Sequence, residues 1–344
     1  MAKRLNLTKS TVTNIVVPLL EAGLIVEDGH PGPRAEAPKG SGRPPVMLRL
    51  DSNRYRVAGL ELGAEEHRLA IASLSGEILH LEEYPAGGED PLEAAARILA
   101  TADRHGQLLG AGIAVSGRVN LVEGRVVESF AHELRDVALG EILRKRTGLP
   151  VLLENDANCV ARGQTTTADD TVIAVLGRRG VETASNLFIG FGLLLSGEVY
   201  QGPDFGAGEF RSVLAEGPPD HQLSPPVYLH TGGSAAFMEA ALTELCAHLK
   251  HMIPLLRPRA VYFAGEFLNW QREFAEAIRI VRPVPPGLEC GIHPAPAGTR
   301  TTAFGAAMSF LHYLFALPSD RVKSSRPDLE WDAVVSELNP RGEG

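Results

Sequence analysis

"VLLENDANCVARGQ", residues 151–164, is the stretch on which the reading of this chain turns. An apolar run, Val151 to Leu153, delivers Glu154, Asn155 and Asp156 onto a turn, and Ala157, Val160 and Ala161 then lead away as if into a helix. Strand, turn and helix start are the expected elements. The three polar side chains can grip hydroxyl groups, and Asp156 can also take a proton from one. The plainer reading is a helix-capping turn without a ligand, since Asn and Asp both favour such places. Whether Asp156 is a catalytic base or part of a pocket that only binds depends on the rest of the chain.

Upstream, "YRVAGLELG", "HRLAIASLSG" and "EILHLEEY" read as three short strands joined by Gly/Ser or acidic turns. A helix over 91–104, an apolar strand "GAGIAVSG", a strand "GRVVESF" and a helix "LGEILRKRTG" closed by Gly148 follow. With "PVLLEN" and the helix from Ala157 they make a first lobe, 53–165. Downstream the scheme repeats in a second lobe, 166–317. "TVIAVLG", "ASNLFIGFGLLLSG" and "EVYQG" are strands, 234–254 is a helix and "AVYFAG" is a buried strand. "QREFAEAIRIV" and "TAFGAAMSFLHYLFA" are helices. Two such lobes predict a duplicated α/β fold with a cleft between the halves. A polar tail, 318–344, carries Trp331 and Val334 as anchors.

The head of the chain differs in charge. Residues 1–50 hold seven Lys/Arg against four acids, a balance of +3 that leaves about −12 on the remainder. Such asymmetry points to a nucleic-acid-binding appendage, although +3 over fifty residues is modest. Thr8 is an expected N-cap. Val12, Ile15, Val16, Leu19 and Leu20 recur at helical spacing and are expected to bury one face. Lys9, Ser10, Thr11, Thr13 and Asn14 fall mainly elsewhere, a set suited to base edges in a major groove. An ordinary amphipathic surface helix has the same periodicity. Gly23 ends the helix, a strand begins at Leu24, and "GHPGPRAEAPKGSGRPP" would bring Arg34, Lys39 and Arg43 to phosphates before the strand "VMLRLD". Residues 1–52 thus read as a winged helix-turn-helix, with Pro18 as a kink and only "MAKRLN" where a first helix is expected.

The chain has 344 residues, 44% of them apolar, enough for more than one core. It contains no apolar run of membrane-spanning length and no signal-peptide pattern, so a cytoplasmic protein without membrane contact is expected. Cys159, Cys246 and Cys290 are too few and too scattered for a disulfide framework or a zinc site.

The chain resembles the ROK group of repressors, open reading frames and sugar kinases. The resemblance covers nearly the whole chain and rests most specifically on "ENDANCVA" (154–161), "GAGEF" (206–210) and "GRPPVMLRLDSNRYRVAGLELG" (42–63). It implies an actin/hexokinase-like (ribonuclease H-like) body, a sugar in the interlobe cleft and a homodimer. Members are either kinases without a DNA-binding head or sugar-responsive transcription factors with one. Kinase members open with an Asp-x-Gly-Gly-Thr phosphate loop; here the stretch reads Glu61-Leu62-Gly63-Ala64-Glu65-Glu66, placing carboxylates where a triphosphate needs donors. Their second loop, Gly-Thr-Gly-Ile-Gly-x-Gly, aligns with Asn186-Leu187-Phe188-Ile189-Gly190-Phe191-Gly192, where Phe188 is expected to fill phosphate space within a buried strand. The family's zinc cluster is not matched. Ser212 stands at its His position, "VLAEGPPDHQLSPPVYLHTGG" holds no cysteine, and His221 and His230 lack partners, so no metal is expected.

By the same resemblance, Asn155 and Asp156 match the pair that contacts sugar hydroxyls, with Asp156 at the kinase base position. Glu209 matches a further sugar-binding acid, and Ser116 and Gly117 stand where the family lines its pocket. Glu154 and Ser212 complete the expected sugar site. The resulting expectation is a sugar-responsive regulator, most simply a repressor, with operator DNA and a small sugar as partners, no cofactor and no kinase activity. A divergent ATP-dependent sugar kinase and a pseudo-kinase that no longer senses sugar are the alternatives.

Overall fold

The structure, a computed structural model, describes residues 7–28, 46–52, 54–165, 170–179, 187–212, 234–270 and 290–315. Arg34, Lys39 and Arg43, the helix expected over 271–281, His221, His230, Asn186 and the tail with Trp331 and Val334 lie outside the described residues.

Helix α1 (Lys9–Glu21) opens on Thr8, whose hydroxyl accepts from the Thr11 N–H at 3.1 Å as the sequence predicts. Strands β1 (Ile25–Asp28) and β2 (Met47–Leu50) pair antiparallel behind it. The expected buried face of α1 is corrected. No residue of the helix is buried and Ile15 is 50% exposed, because among the described residues only the Leu19–Ala22 end reaches a core. There Leu24 packs with Tyr55 and Phe310, and the Tyr55 hydroxyl donates to the Ala22 carbonyl at 2.6 Å.

The body begins with a meander of β3 (Tyr55–Glu61), β4 (Glu66–Ser73) and β5 (Ile78–Pro85). Helix α2 (Pro91–Ala102) follows, its first turn capped by Asp90 Oδ1 at 2.9 Å from the Leu92 N–H. Strand β6 (Gln107–Val115) is buried from Leu108 onward, the all-apolar pattern of a strand covered on both faces. A small sheet of β7 (Arg118–Asn120), β8 (Arg125–Ser129) and β9 (Leu134–Val137), then α3 (Leu139–Thr147), lead to β10 (Val151–Asn155) and α4 (Asp156–Arg162).

The second half repeats the order. Strands β11 (Val172–Arg179), β12 (Leu187–Leu195) and β13 (Glu198–Val199) form a meander, helix α5 (Ser234–Leu256) follows, and β14 (Ala260–Gly265), β15 (Gly291–Pro294) and α6 (Thr301–Phe315) complete it. The sheets read β10-β6-β3-β4-β5 and β15-β14-β11-β12-β13. In each, the first strand is antiparallel to the second and parallel to the fourth, so the predicted duplication is present strand for strand.

Alternate residues along each strand face opposite layers. Ala58 and Leu60 of β3 meet α2 and α3, while Tyr55 and Val57 meet α6. Ile173 and Val175 of β11 meet α5, while Val172 and Ala174 meet α4. Helices α4 and α6 pack on each other between the sheets. A lobe division at residue 165 is therefore corrected at both helices: α4, sequentially in the first lobe, covers the second sheet, and α6, near the end of the second, covers the first. Two glycines permit this close stacking. A Cβ on Gly112 would lie 1.9 Å from the Ala306 carbonyl oxygen, and one on Gly305 would lie 1.8 Å from that of Cys159. No helix among the described residues is long and apolar enough to cross a membrane.

Candidate functional site

The stretch 151–164 folds as strand and helix, and Asn155 caps the helix. Its Oδ1 accepts from the Asn158 N–H at 3.1 Å, and its Nδ2 donates to the Gly117 carbonyl at 2.8 Å. The capping turn is thus real, yet it leaves one lone pair and one N–H of the Asn155 amide for a ligand. Glu154 lies beneath the turn, 1% exposed. Its Oε1 accepts from the Asn155 N–H at 2.9 Å, from Asn158 Nδ2 at 3.1 Å and from Gln201 Nε2 at 3.3 Å. Burial pushes its pKa up. Glu154 therefore positions amides instead of meeting a ligand.

A small cleft opens where the end of β10, β12 and the 200–209 loop meet. Its polar wall includes Asn155, Asn158, Gln201 and Glu209, and Phe191 and Phe205 are apolar. The loop is stitched to β12 by the Phe191 N–H, which donates to the Gly208 carbonyl at 2.8 Å. Phe205 stands at φ 60°, a left-handed conformation rare for a bulky side chain. Glu209 is an exposed residue on the cleft wall, but its carboxyl lies in a crowded setting. Desolvation there, then the nearby Asp156 charge, push it up to about 7, against the opposing pull of Arg118.

Of the predicted sugar residues, the structure brings Asn155 and Glu209 together in this lining. Gly117 acts through its carbonyl on Asn155. Ser116 lies partly buried just beyond β6, outside the lining. Ser212 is 4% exposed and donates to Glu244 Oε2 on α5 at 2.9 Å, so it too stands away from the cleft.

Asp156 is 5% exposed, and its carboxylate is already engaged. Oδ1 accepts from the Ala157 N–H at 2.9 Å, and Oδ2 accepts from Arg178 Nε at 2.6 Å. The same guanidinium places NH2 2.7 Å from Oε1 of Glu61, which is 1% exposed. Burial pulls the Arg178 pKa down, and the Glu61 and Asp156 charges outweigh it, so the cation is held more firmly than usual. Arg178 arises from the second sheet and Glu61 from the first, so the pair spans the lobes. Glu66 turns to Arg68 at 2.7 Å, while Glu65 is exposed. Phe188 lies within β12, opposite Arg178 in register, so the stretch 187–192 is strand as predicted. Among the described residues, no group of three or more His, Cys, Asp or Glu side chains is placed to hold a metal ion.

Arg178, Gln201 and Phe205 escaped the sequence reading. "VIAVLGRR" did hold a signal for the first: an arginine at the end of a buried strand needs a carboxylate partner. Nothing local says which carboxylate. Phe205 carries no signal, since a left-handed aromatic residue is invisible until the backbone is seen.

Residues 57–216 match the ROK family. The chain is 24% identical over 219 residues to the xylose repressor of Caldicellulosiruptor bescii, covering 61% of this chain and 52% of that protein. It is 27% identical over 171 residues to the beta-glucoside kinase of Listeria monocytogenes, covering 47% of this chain and 54% of the kinase. The chain thus spans about half the length of the curated relatives it matches. A solved ROK family transcriptional regulator, a homologue of the E. coli MLC protein, superposes with a TM-score of 0.68 at 18% identity, over 98% of this chain and 92% of that one. At that identity the likeness establishes the two-lobed fold.

Proposed function

Taking the ROK family body of residues 57–216 as the premise, we propose that the chain is a sugar-responsive DNA-binding regulator, a repressor of carbohydrate genes, and not a kinase. The observation that carries the reading is the grip of Arg178 on Asp156, 2.6 Å from Nε to Oδ2. A general base must have an oxygen ready for the substrate proton and a phosphoryl donor in line with it. Here Asp156 Oδ2 already accepts a charge-assisted hydrogen bond, and the guanidinium occupies the ground between Asp156 and Glu61, which supports a structural over a catalytic Asp156. A xylose repressor among the relatives points the same way.

The exposed Lys9, Ser10, Thr11, Thr13 and Asn14 of α1, in front of the β1–β2 pair, support a winged helix-turn-helix head. Arg34, Lys39 and Arg43 would reach phosphates from the connecting wing. A homodimer in the cytoplasm would present two heads to two half-sites, and a sugar in the cleft would favour one lobe arrangement over another. No cofactor and no metal enter this scheme.

The test uses the full chain. Duplexes selected from a random pool are titrated by fluorescence anisotropy at several salt concentrations, with and without a panel headed by pentoses and β-glucosides. Salt-dependent binding altered by one sugar is expected. Equal affinity for selected and scrambled duplexes would remove the DNA reading. ATP-dependent sugar phosphorylation abolished by Asp156→Asn would establish the kinase instead.

A further inference from the structure

We propose that Asn14 is the base-reading residue of the head, pairing its carboxamide with the edge of an adenine, and that Val17 packs on a thymine methyl beside it. The half-site is then chosen at A·T pairs. This rests on the reading of α1 as the helix that enters the major groove, and it assigns sequence recognition to two of its exposed side chains.

Helix geometry is the first ground. Val12, Val16, Leu19 and Leu20 are partly buried, and Leu19 with Ala22 packs on the core around Tyr55 and Phe310. Ser10, Asn14, Val17 and Glu21 recur at helical intervals on the opposite face, and all are exposed. Lys9 lies off that face, at the start of the helix, where an ammonium suits a phosphate. Residues 1–50 carry +3 against about −12 on the remainder, a charge that turns this end of the chain toward a polyanion.

Hydrogen bonding is the second. Thr8 Oγ1 accepts from the Thr11 N–H at 3.1 Å and lies 2.9 Å from the Ser10 hydroxyl and 2.7 Å from that of Thr11. Thr13 donates its proton to the Lys9 carbonyl at 3.1 Å. These hydroxyls serve the cap and the backbone, and a hydroxyl that can donate or accept distinguishes bases poorly. The Asn14 carboxamide has no partner among the described residues. It holds a donor and an acceptor side by side in one plane, the complement of adenine N7 and N6 in the major groove.

Val17 is the third. It stands one turn beyond Asn14 and is 41% exposed, an apolar side chain turned away from the core. The thymine methyl is the apolar feature of the major groove, and an A·T pair offers it beside the adenine edge. Glu21 closes the face with a charge that phosphates repel, so the reading end is the N-terminal part of the helix.

The test takes the duplex selected from a random pool and titrates the full chain against versions changed one base pair at a time. Further versions carry 7-deazaadenine for adenine, which lacks N7, or uracil for thymine, which lacks the methyl. At one adenine of the half-site, both the change to G·C and the loss of N7 should weaken the unaltered chain about tenfold. Asn14→Ala should bind those duplexes equally and keep its other preferences, whereas Lys9→Ala should weaken all duplexes alike. Val17→Ala should no longer distinguish thymine from uracil at that site. Both exposed substitutions should leave the unfolding midpoint in place. An Asn14→Ala chain that keeps every base preference, with or without a uniform loss of affinity, overturns the inference and leaves the DNA reading standing. So does an unaltered chain indifferent to N7 at every adenine, and uracil discrimination that survives Val17→Ala overturns the thymine contact. If the selected duplex binds no better than a scrambled one, the DNA reading falls and takes this inference with it.

Discussion

The two sheets share one strand order, but their first strands end in opposite charges. β3 closes on Glu61, whereas β11 carries Arg178 one residue from its end. Matching topologies bring both strand ends face to face between the sheets, where Arg178 NH2 lies 2.7 Å from Glu61 Oε1. Opposite charges then join the lobes through this Arg178–Glu61 contact. Duplication explains the scaffold, and the charges at two strand-end positions explain how the two sheets are tied together.

The largest expected effect comes from removing the bridge. Arg178→Leu leaves the buried Asp156 without its guanidinium and Glu61 with only Arg68 at 3.5 Å, and should cost about 3–5 kcal/mol in urea unfolding. Neutralising both acids in the same chain (Glu61→Gln, Asp156→Asn) should restore most of it. A loss below about 1 kcal/mol, the range of exposed pairs, would show that the lobes do not depend on this contact.

Next come the helices stacked between the sheets. Gly112→Ala drives a methyl against the Ala306 carbonyl on the first-sheet side, and Gly192→Ala drives one to 2.0 Å from the Ala157 carbonyl on the second. Each should cost about 1–3 kcal/mol by overpacking. A markedly smaller loss at Gly192 would mark the second sheet as the more yielding half.

Two acids give the halves opposite pH responses. Glu209 rises from 4.5 to about 7 on folding, so between those values the folded state holds a proton that the unfolded chain releases. Stability should fall as pH rises through that window and level off above it, and Glu209→Gln should flatten the slope. Glu82, on the first-lobe edge strand β5, is lowered from 4.5 to about 2 by Arg104 and Tyr84. Its contribution is present above about 4.5 and is lost as pH falls toward 2; Glu82→Gln should remove that acid-side loss. The exposed Lys145–Glu141 pair on α3, at 2.6 Å, sets the lower limit: Lys145→Ala should leave the unfolding midpoint essentially unchanged.

What the sequence disclosed follows the range over which each residue acts. Asn155 and Asp156 could be placed because strand, cap and helix start all lie within a few residues of them. Thr8 was legible for the same reason, and so was the strand character of 187–192. Ile15 was misjudged because periodicity names a face without saying what, if anything, meets it. The crossing of α4 and α6 was hidden because apolar spacing does not identify the sheet a helix will cover. Arg178 and Asp156 are 22 positions apart and on different sheets' elements, so their contact exists only in the folded chain. Glu154 was read as a sugar contact from its neighbours in the motif, but burial made it the support under those neighbours.

One seam limits how this chain can be re-engineered. Leu24 and the Leu19–Ala22 end of α1 share their core with Phe310 and Leu314 of α6, a helix nearly three hundred residues downstream. The head is consequently no detachable cassette. A chimera that grafts a foreign head before Tyr55 must transplant the matching surface of α6 as well, or the graft will rest on a mismatched floor and point its leading helix in an arbitrary direction.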